Sequence, residues 1–181
     1  TEALLRVIER VYEIEEKMSA FKDTSEISKL TSNAGFCPVV VSEDVFSVLK
    51  KALEISQASK GAFDITLRPL TKLWDIGNNG DAIPEKSKIE ASKSFVGYEN
   101  LVLGPKGKTA LLSKVGCAVD LGGIAKGYAA NEAKRILIEH GIKNALINFG
   151  GNIMAVGNSF ESTTWKIGIQ NPLSERGESI L

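Results

Sequence analysis

The stretch VDLGGIAKGYAANEAKRI, residues 119–136, combines a short apolar run, an acid, three glycines and a lysine, and then continues as an amphipathic pattern. It predicts a strand that ends at Asp120, a glycine turn, and a helix from about Lys126 to His140 with Gly141 as its C-terminal stop. A glycine turn that leads into a helix exposes backbone N–H groups and the positive end of the helix dipole. The stretch is therefore a candidate anion site with a carboxylate beside it.

Two common phosphate-binding motifs do not match this turn. Gly122 and Gly127 have the spacing of the outer glycines of a P-loop, but Tyr-Ala follows where Lys and then Ser or Thr are needed. The dinucleotide fingerprint also fails, since the acid precedes the glycines instead of following them. Asp120 would repel a phosphate placed against it, so a ribose hydroxyl, an amine donor or a cation is its expected partner. A nucleotide diphosphate with a metal fits these features, and tight packing with Asp120 as a helix cap is the alternative.

The composition predicts one globular domain over residues 1–181. Of the 181 residues, 43% are hydrophobic and 24% are charged, and Lys+Arg and Asp+Glu both number 22. This balance predicts no nucleic-acid partner, so that any anion site is local. We find no signal peptide, lipid-attachment cysteine or apolar run of membrane length.

The cysteines and the histidine disfavour two classes of site. Cys37 and Cys117 are far apart and belong to no CxxC or Cys/His cluster, which disfavours zinc, and both are expected to be buried thiols. His140 is the single histidine and ends a predicted helix, which disfavours a Ser-His-Asp triad.

Apolar spacing predicts several helices. Over residues 2–19 it predicts an amphipathic helix, whose packed face is expected to hold Leu4, Ile8, Val11, Tyr12 and Met18. Ser42 is expected to cap a helix that stops near Gly61. Pro69 starts a helical turn with Trp74 at its end, and a charged helix is expected over roughly residues 85–94.

Strands are predicted between these helices. They cover residues 37–41, 145–149 and 164–170, together with a hairpin of residues 101–103 and 109–112 across Gly-Pro-Lys-Gly-Lys. Because strands and helices mix without regular βαβ alternation, the pattern favours an α+β fold over a doubly wound parallel sheet.

Five segments together resemble the ApbE-like family of flavin transferases. In family order they are SAFKDTSEISKL, SKGAFDITLRPLTKLW, VDLGGIAKGYAANEA, LINFGGNIMAVG and WKIGIQNP. Each is weak alone, whereas five in the same order are hard to obtain by chance. The resemblance implies an α+β fold with a mixed sheet and flanking helices. It also implies a partial domain, because the family's N-terminal strand and its C-terminal metal-binding segment have no counterpart.

The resemblance implies that FAD is split at its pyrophosphate. The FMN half goes to a Thr or Ser hydroxyl of an acceptor protein, such as a respiratory redox-pump subunit, AMP leaves, and Mg²⁺ is required. It also implies a periplasmic or membrane-associated protein. An FAD pyrophosphatase that releases FMN and AMP, or a flavin-binding module without catalysis, are the alternatives. Missing closing strands would expose a sheet edge, which predicts a homodimer or a state that depends on a partner protein.

The resemblance also implies site residues. By position in the matched segments, the flavin nucleotide contacts are Phe21, Ala62, Phe63, Asp64, Asp120 and Lys126. The backbone carbonyl of Gly123 is implied as a metal ligand, which is reasonable because Mg²⁺ takes oxygen ligands. On composition alone, Phe21 and Phe63 could equally be aromatic residues of the core, and Asp64 could be an acid that stabilises a turn. The sequence presents no persuasive catalytic base.

Overall fold

The computed structural model describes residues 2–75, 82–159, 164–175 and 177–180. In these ranges helices and short strands follow one another irregularly, which confirms the α+β class. The elements are α1 (Glu2–Met18), α2 (Glu26–Ser32), β1 (Val39–Val40), α3 (Glu43–Ala58), α4 (Arg68–Trp74), α5 (Lys86–Lys93), a 3-10 turn (Tyr98–Asn100), β2 (Leu101–Gly104), β3 (Thr109–Leu112), α6 (Ala125–Glu139), β4 (Ala145–Phe149) and β5 (Asn152–Val156).

The chain divides into two compact units. The larger is Ile8–Ala129, and the smaller combines Thr1–Val7 with Ala130–Leu181. Within the described residues, the larger unit contains an antiparallel sheet in the order β1-β3-β2, and the smaller contains the β4-β5 hairpin. The expectation of one domain over residues 1–181 stays a prediction.

The three-stranded sheet has one buried and one open face. Strands β2 and β3 pair from Leu101 with Leu112 to Gly104 with Thr109, which confirms the predicted hairpin. Leu101, Ala110 and Leu112 are buried, whereas Val40 and Val102, on the other face, are 72% and 51% exposed. The strand expected over residues 37–41 is present as the two-residue β1.

Helix α3 begins as its cap predicts. Ser42 precedes the helix, and its side-chain oxygen accepts a hydrogen bond from the backbone N–H of Val45 at 3.4 Å. Helix α2 was not predicted, although Ser25 caps it and Ile27 and Leu30 are fully buried. Two apolar positions in seven residues are too few to produce a recognisable period.

The predicted packed face of α1 is confirmed at Met18 but wrong at three other positions. Leu4, Ile8 and Tyr12 are about half exposed or more, whereas Met18 is buried together with Ala3 and Ile14. Both sets have helical spacing, so periodicity alone does not choose between them. Arg10 of α1 also forms an ion pair with Asp44 of α3, which the spacing of apolar residues does not predict.

The later helices agree with prediction better than the later strands do. Helices α4, α5 and α6 begin and end within about two residues of expectation. The strand expected to end at Asp120 is reduced to a single parallel bridge between Leu67 and Ala118. Among the described residues, the segment 164–170 makes only a bridge between Gln170 and Ser179. The prediction of a strand there is wrong, because apolar alternation forms a strand only where a neighbouring strand pairs with it.

In the smaller unit, β4 and β5 pair from Ala145 with Val156 to Phe149 with Asn152. Gly150 and Gly151 form the turn with φ of 60° and 92°, a left-handed conformation that suits a two-residue hairpin. Its buried cluster combines α6 with the hairpin and consists of Ala3, Ala130, Ala133, Leu137, Ile147 and Val156. No helix in the described residues is long and apolar enough to cross a membrane.

Both cysteines are free thiols. Cys117 is buried as expected, and burial raises the pKa of its thiol. Cys37 is exposed, so the expectation of two buried thiols is wrong for this residue. It follows Phe36, which is also exposed, in the loop that enters β1.

Candidate functional site

Two distant backbone segments meet beside the glycine turn. Asp120 N–H donates to Ile65 O at 2.8 Å, and Leu67 forms the parallel bridge with Ala118. Residues 65–67 therefore run alongside residues 118–120. This pairing places the loop that precedes α4 against the turn that precedes α6.

Asp120 organises the turn with one of its two oxygens. Its Oδ1 accepts from Gly122 N–H at 2.8 Å, while Ile124 N–H and Ala125 N–H both donate to Leu121 O. One carboxylate oxygen thus holds the turn, but Asp120 lies five residues before α6 begins at Ala125 and does not cap that helix. Within the described ranges Gly123 N–H has no hydrogen bond, and Gly122 and Gly123 are exposed. An accessible donor next to a helix N-terminus can receive an anion.

Phe63 packs directly against the bare backbone of Gly123. A Cβ at Gly123 would lie only 3.2 Å from Phe63 Cε2. The ring is half-buried, and Phe63 N–H is held by Ser59 Oγ at 3.0 Å. Glycine at this position therefore allows an aromatic ring and the turn to share one small area.

Arg68 links the turn to Phe21. Its Nη1 lies 3.5 Å from Asp120 Oδ2, its Nη2 lies 3.4 Å from Ala20 O, and its guanidinium carbon lies 4.2 Å from the Phe21 ring centroid. Phe21 is 80% exposed, in the turn after α1. The structure thus brings Phe21 and Asp120 together through a residue that the sequence analysis missed. An arginine before a proline at a helix start was the available signal, but it does not identify the partners.

Both carboxylate oxygens of Asp64 accept hydrogen bonds that stabilise its own loop. Its Oδ1 accepts from both the N–H and the hydroxyl of Thr66 at 2.7 Å, and its Oδ2 accepts from Tyr98 N–H at 2.9 Å. The Thr66 hydroxyl in turn accepts from Gly97 N–H. This geometry matches a turn acid. The neighbouring Ala62 is exposed, and FAD contacts at Ala62 and Asp64 stay predictions.

Lys126 lies in the first turn of α6 and is exposed. It forms no ion pair with the carboxylates of the described residues, so its ammonium group remains available for an anionic ligand. A cation here adds to the positive end of the helix dipole. A contact between Lys126 and FAD stays a prediction.

The described residues do not fit a complete Mg²⁺ site. In these ranges, no group of three His, Cys, Asp or Glu side chains is placed to hold a metal ion. The Gly123 carbonyl supplies one oxygen, while the nearby Asp120 carboxylate already contacts Gly122 and Arg68. Mg²⁺ needs several fixed oxygen ligands.

Comparison with known proteins agrees with the sequence segments. The model of the ApbE family matches residues 2–181. A protein from Klebsiella pneumoniae (strain 342), named FAD:protein FMN transferase, is 31% identical over 170 residues, which are 94% of this chain and 52% of that protein. A protein of the same name from Treponema pallidum (strain Nichols) is 31% identical over 183 residues, with coverages of 94% and 51%.

Solved structures share this fold. The ApbE protein of Thermotoga maritima matches with a TM-score of 0.89 and 28% identity, over 99% of this chain and 58% of that one. Flavin transferase ApbE from Vibrio cholerae matches with a TM-score of 0.87 and 28% identity, over 94% and 55%. The chain spans about half the length of the curated relatives it matches. Because the family model runs over almost every residue and the fold agrees, the chain belongs to the ApbE family.

Proposed function

We propose that this protein transfers the FMN half of FAD to a Thr or Ser hydroxyl of an acceptor protein, with release of AMP. One observation carries the proposal: Phe21, Phe63 and Asp120, from three distant segments, converge on the glycine turn before α6. Relatives named FAD:protein FMN transferase support FAD as the substrate.

The chemistry of the turn suits the parts of FAD. The exposed N–H of Gly123 and the charge of Lys126 would attract the diphosphate at the start of α6. The second oxygen of Asp120 would accept from a ribose hydroxyl. The aromatic faces of Phe21 and Phe63 would offer stacking surfaces for the rings of FAD.

The proposed reaction is a phosphoryl transfer. The acceptor oxygen bonds to the phosphorus on the FMN side, the bond from that phosphorus to the bridging oxygen breaks, and AMP leaves with the bridging oxygen. The hydroxyl proton passes to a base. The protein's tasks are to align the acceptor oxygen and to offset charge on the departing AMP. Lys126 and the N-terminus of α6 would serve the second task.

Magnesium dependence is a further part of the proposal and rests on the resemblance. Gly123 would offer its carbonyl, and the phosphates of FAD would supply further oxygen ligands. Removing divalent ions with EDTA is expected to abolish AMP release, and adding Mg²⁺ back is expected to restore it. Activity unchanged in EDTA would contradict this part alone.

One assay tests the function. The protein is incubated with FAD, Mg²⁺ and an acceptor domain that carries a Ser/Thr flavinylation motif, and flavin fluorescence of the acceptor is read in a denaturing gel alongside released AMP. Labelled acceptor with AMP supports transfer. AMP without labelled acceptor would identify an FAD pyrophosphatase, and FAD binding with neither product would identify a flavin-binding module.

The acceptor, the location and the oligomeric state are proposals as well. By resemblance, the acceptor is a subunit of a respiratory redox pump, and the protein is periplasmic or membrane-associated. The exposed Val40 and Val102 on one face of the three-stranded sheet support a homodimer, because apolar sheet faces favour association. Light scattering tests this, and a monodisperse monomer would contradict it.

A further inference from the structure

Arg68 connects two of the predicted flavin-contacting residues, although the resemblance assigns it no role. We propose that Arg68 is a positioning residue of the flavin site, whose guanidinium holds the Phe21 ring and offsets the charge of Asp120 beside the diphosphate. The inference rests on the proposed function, because it takes FAD to be the ligand.

Arg68 contacts its neighbours at long distances and does not form a tight ion pair with Asp120. Its distances to Asp120 Oδ2 and Ala20 O, 3.5 and 3.4 Å, are near the upper limit for hydrogen bonds. By contrast, Arg10 Nη2 lies 2.6 Å from Asp44 Oδ1. The Arg68 side chain is 16% exposed and that of Asp120 is 26% exposed. The Asp120 side chain is therefore more accessible to a ligand than the guanidinium that contacts it.

The same guanidinium orients Phe21. At 4.2 Å from the ring centroid it lies within the usual range of cation–π interactions. Since Phe21 is mostly exposed, the ring face away from Arg68 is open to a second planar group. An exposed aromatic side chain otherwise samples several rotamers, and a contact that selects one lowers the cost of stacking on a ligand.

The second role of Arg68 is to neutralise the charge of Asp120. A carboxylate that faces a diphosphate repels it, and the adjacent guanidinium brings the net charge of the Arg68–Asp120 pair to zero. Removing Arg68 would leave Asp120 facing the diphosphate with its full charge. Replacing Asp120 with Asn should then remove most of that penalty.

The test measures FAD, ADP and riboflavin binding to the whole chain by calorimetry. Arg68→Met is expected to weaken FAD binding about tenfold. Lys72→Met is the matched control, because Lys72 is an exposed cation of the same helix α4, and it should change affinity less than about twofold. Arg68→Lys should restore ADP affinity but not riboflavin affinity, because an ammonium group keeps the charge without the planar stacking surface.

A double-mutant cycle tests the charge component. In an Asp120→Asn background, Arg68→Met should cost less than about half of what it costs in the wild type. An equal cost in both backgrounds would overturn the neutralising role. If Arg68→Met binds FAD as the wild type does, the whole inference is wrong, whereas a wild type that binds no FAD overturns the proposed function.

A readout without ligand tests the positioning of Phe21. In protein labelled with 4-fluorophenylalanine, the ¹⁹F resonance of Phe21 should shift in Arg68→Met and stay in place in Lys72→Met. An unchanged resonance in Arg68→Met would contradict the positioning role even if FAD does not bind. Thermal melting of each variant identifies a folding failure, and Arg68→Lys provides the test if Arg68→Met does not fold.

Discussion

Two carboxylates of the larger unit, Asp44 and Asp120, each face an arginine but differ in how fully their oxygens are used. Asp44 accepts from Arg10 at 2.6 and 2.9 Å, from Lys17 at 2.6 Å and from Tyr128 at 2.7 Å, and is 15% exposed. Asp120 accepts one short bond from Gly122 N–H and has Arg68 at 3.5 Å.

The difference separates a structural acid from a candidate binding acid. Short, charge-assisted bonds on both oxygens join α1, α3 and α6 at Asp44 and leave it little capacity for a ligand. The Asp120 side chain stays 26% exposed, and the nearby Gly123 N–H has no hydrogen-bond partner among the described residues. Residue type alone does not distinguish them, because each is one aspartate near a helix start.

The largest expected effect is the loss of stability in Asp44→Ala. This change removes the carboxylate that accepts from Arg10 and Lys17, and breaking such a partly buried pair should cost on the order of 3 kcal/mol. Urea unfolding measures it. Asp120→Ala is the comparison variant and should cost about 1 kcal/mol, the usual loss for one local hydrogen bond. Equal losses would mean that Asp120 is as structural as Asp44.

The second expected effect is that the stabilisation by Asp44 is lost at acidic pH. Hydrogen bonds from Arg10, with help from Lys17 and Tyr128, hold the pKa of Asp44 well below its usual range. In the unfolded chain Asp44 protonates near its ordinary pKa of about 3.9. Its stabilisation is therefore present above that pH and is lost as the pH falls toward the lower folded value.

Urea unfolding at several pH values checks this. The difference in unfolding free energy between the wild type and Asp44→Asn should be full near about pH 7 and should shrink below about pH 4. A difference that stays constant through this range would show that the carboxylate charge does not contribute.

Asp120→Ala should weaken FAD binding about tenfold, because the lost hydrogen bond to a ribose hydroxyl is worth about 1.4 kcal/mol. Fluorescence titration with FAD measures the affinity. Asp44→Ala should bind FAD normally at temperatures where it remains folded. Unchanged affinity in Asp120→Ala would mean that this acid only holds the turn through Gly122 N–H.

The smallest expected effect is that of Gly123→Ala. Its new Cβ would lie 3.2 Å from Phe63 Cε2, so the half-buried ring must move by a few tenths of an ångström. We expect a stability change below about 1 kcal/mol and a loss of FAD affinity of about threefold. Gly127→Ala is the control, since its Cβ meets nothing within 4 Å. Improved FAD binding in Gly123→Ala would contradict the packing of Phe63 on the turn.

Part of the candidate site was predictable from the sequence. The glycine turn and Asp120 follow from local pattern, and the five family segments point to Phe21 and Phe63. Arg68 was not predictable, because its partners lie far away in the chain at Ala20, Phe21 and Asp120. For Asp64, the sequence allowed both an FAD contact and a turn acid. The structural role became visible only in the fold, because its Oδ2 accepts a hydrogen bond from the distant Tyr98 N–H.

For the fold, the sequence by itself determined most helices and the β2-β3 hairpin, because caps, proline positions, glycine stops and side-chain periods act over a few neighbouring residues. Strand β5 was not predicted. Tertiary structure alone decided which face of α1 is packed, whether residues 164–170 pair as a strand, and which aspartate is used up in ion pairs between helices. Those outcomes depend on contacts between residues that are distant in the chain. Two helix faces with the same period, or two aspartates, differ only in the residues that the fold brings against them.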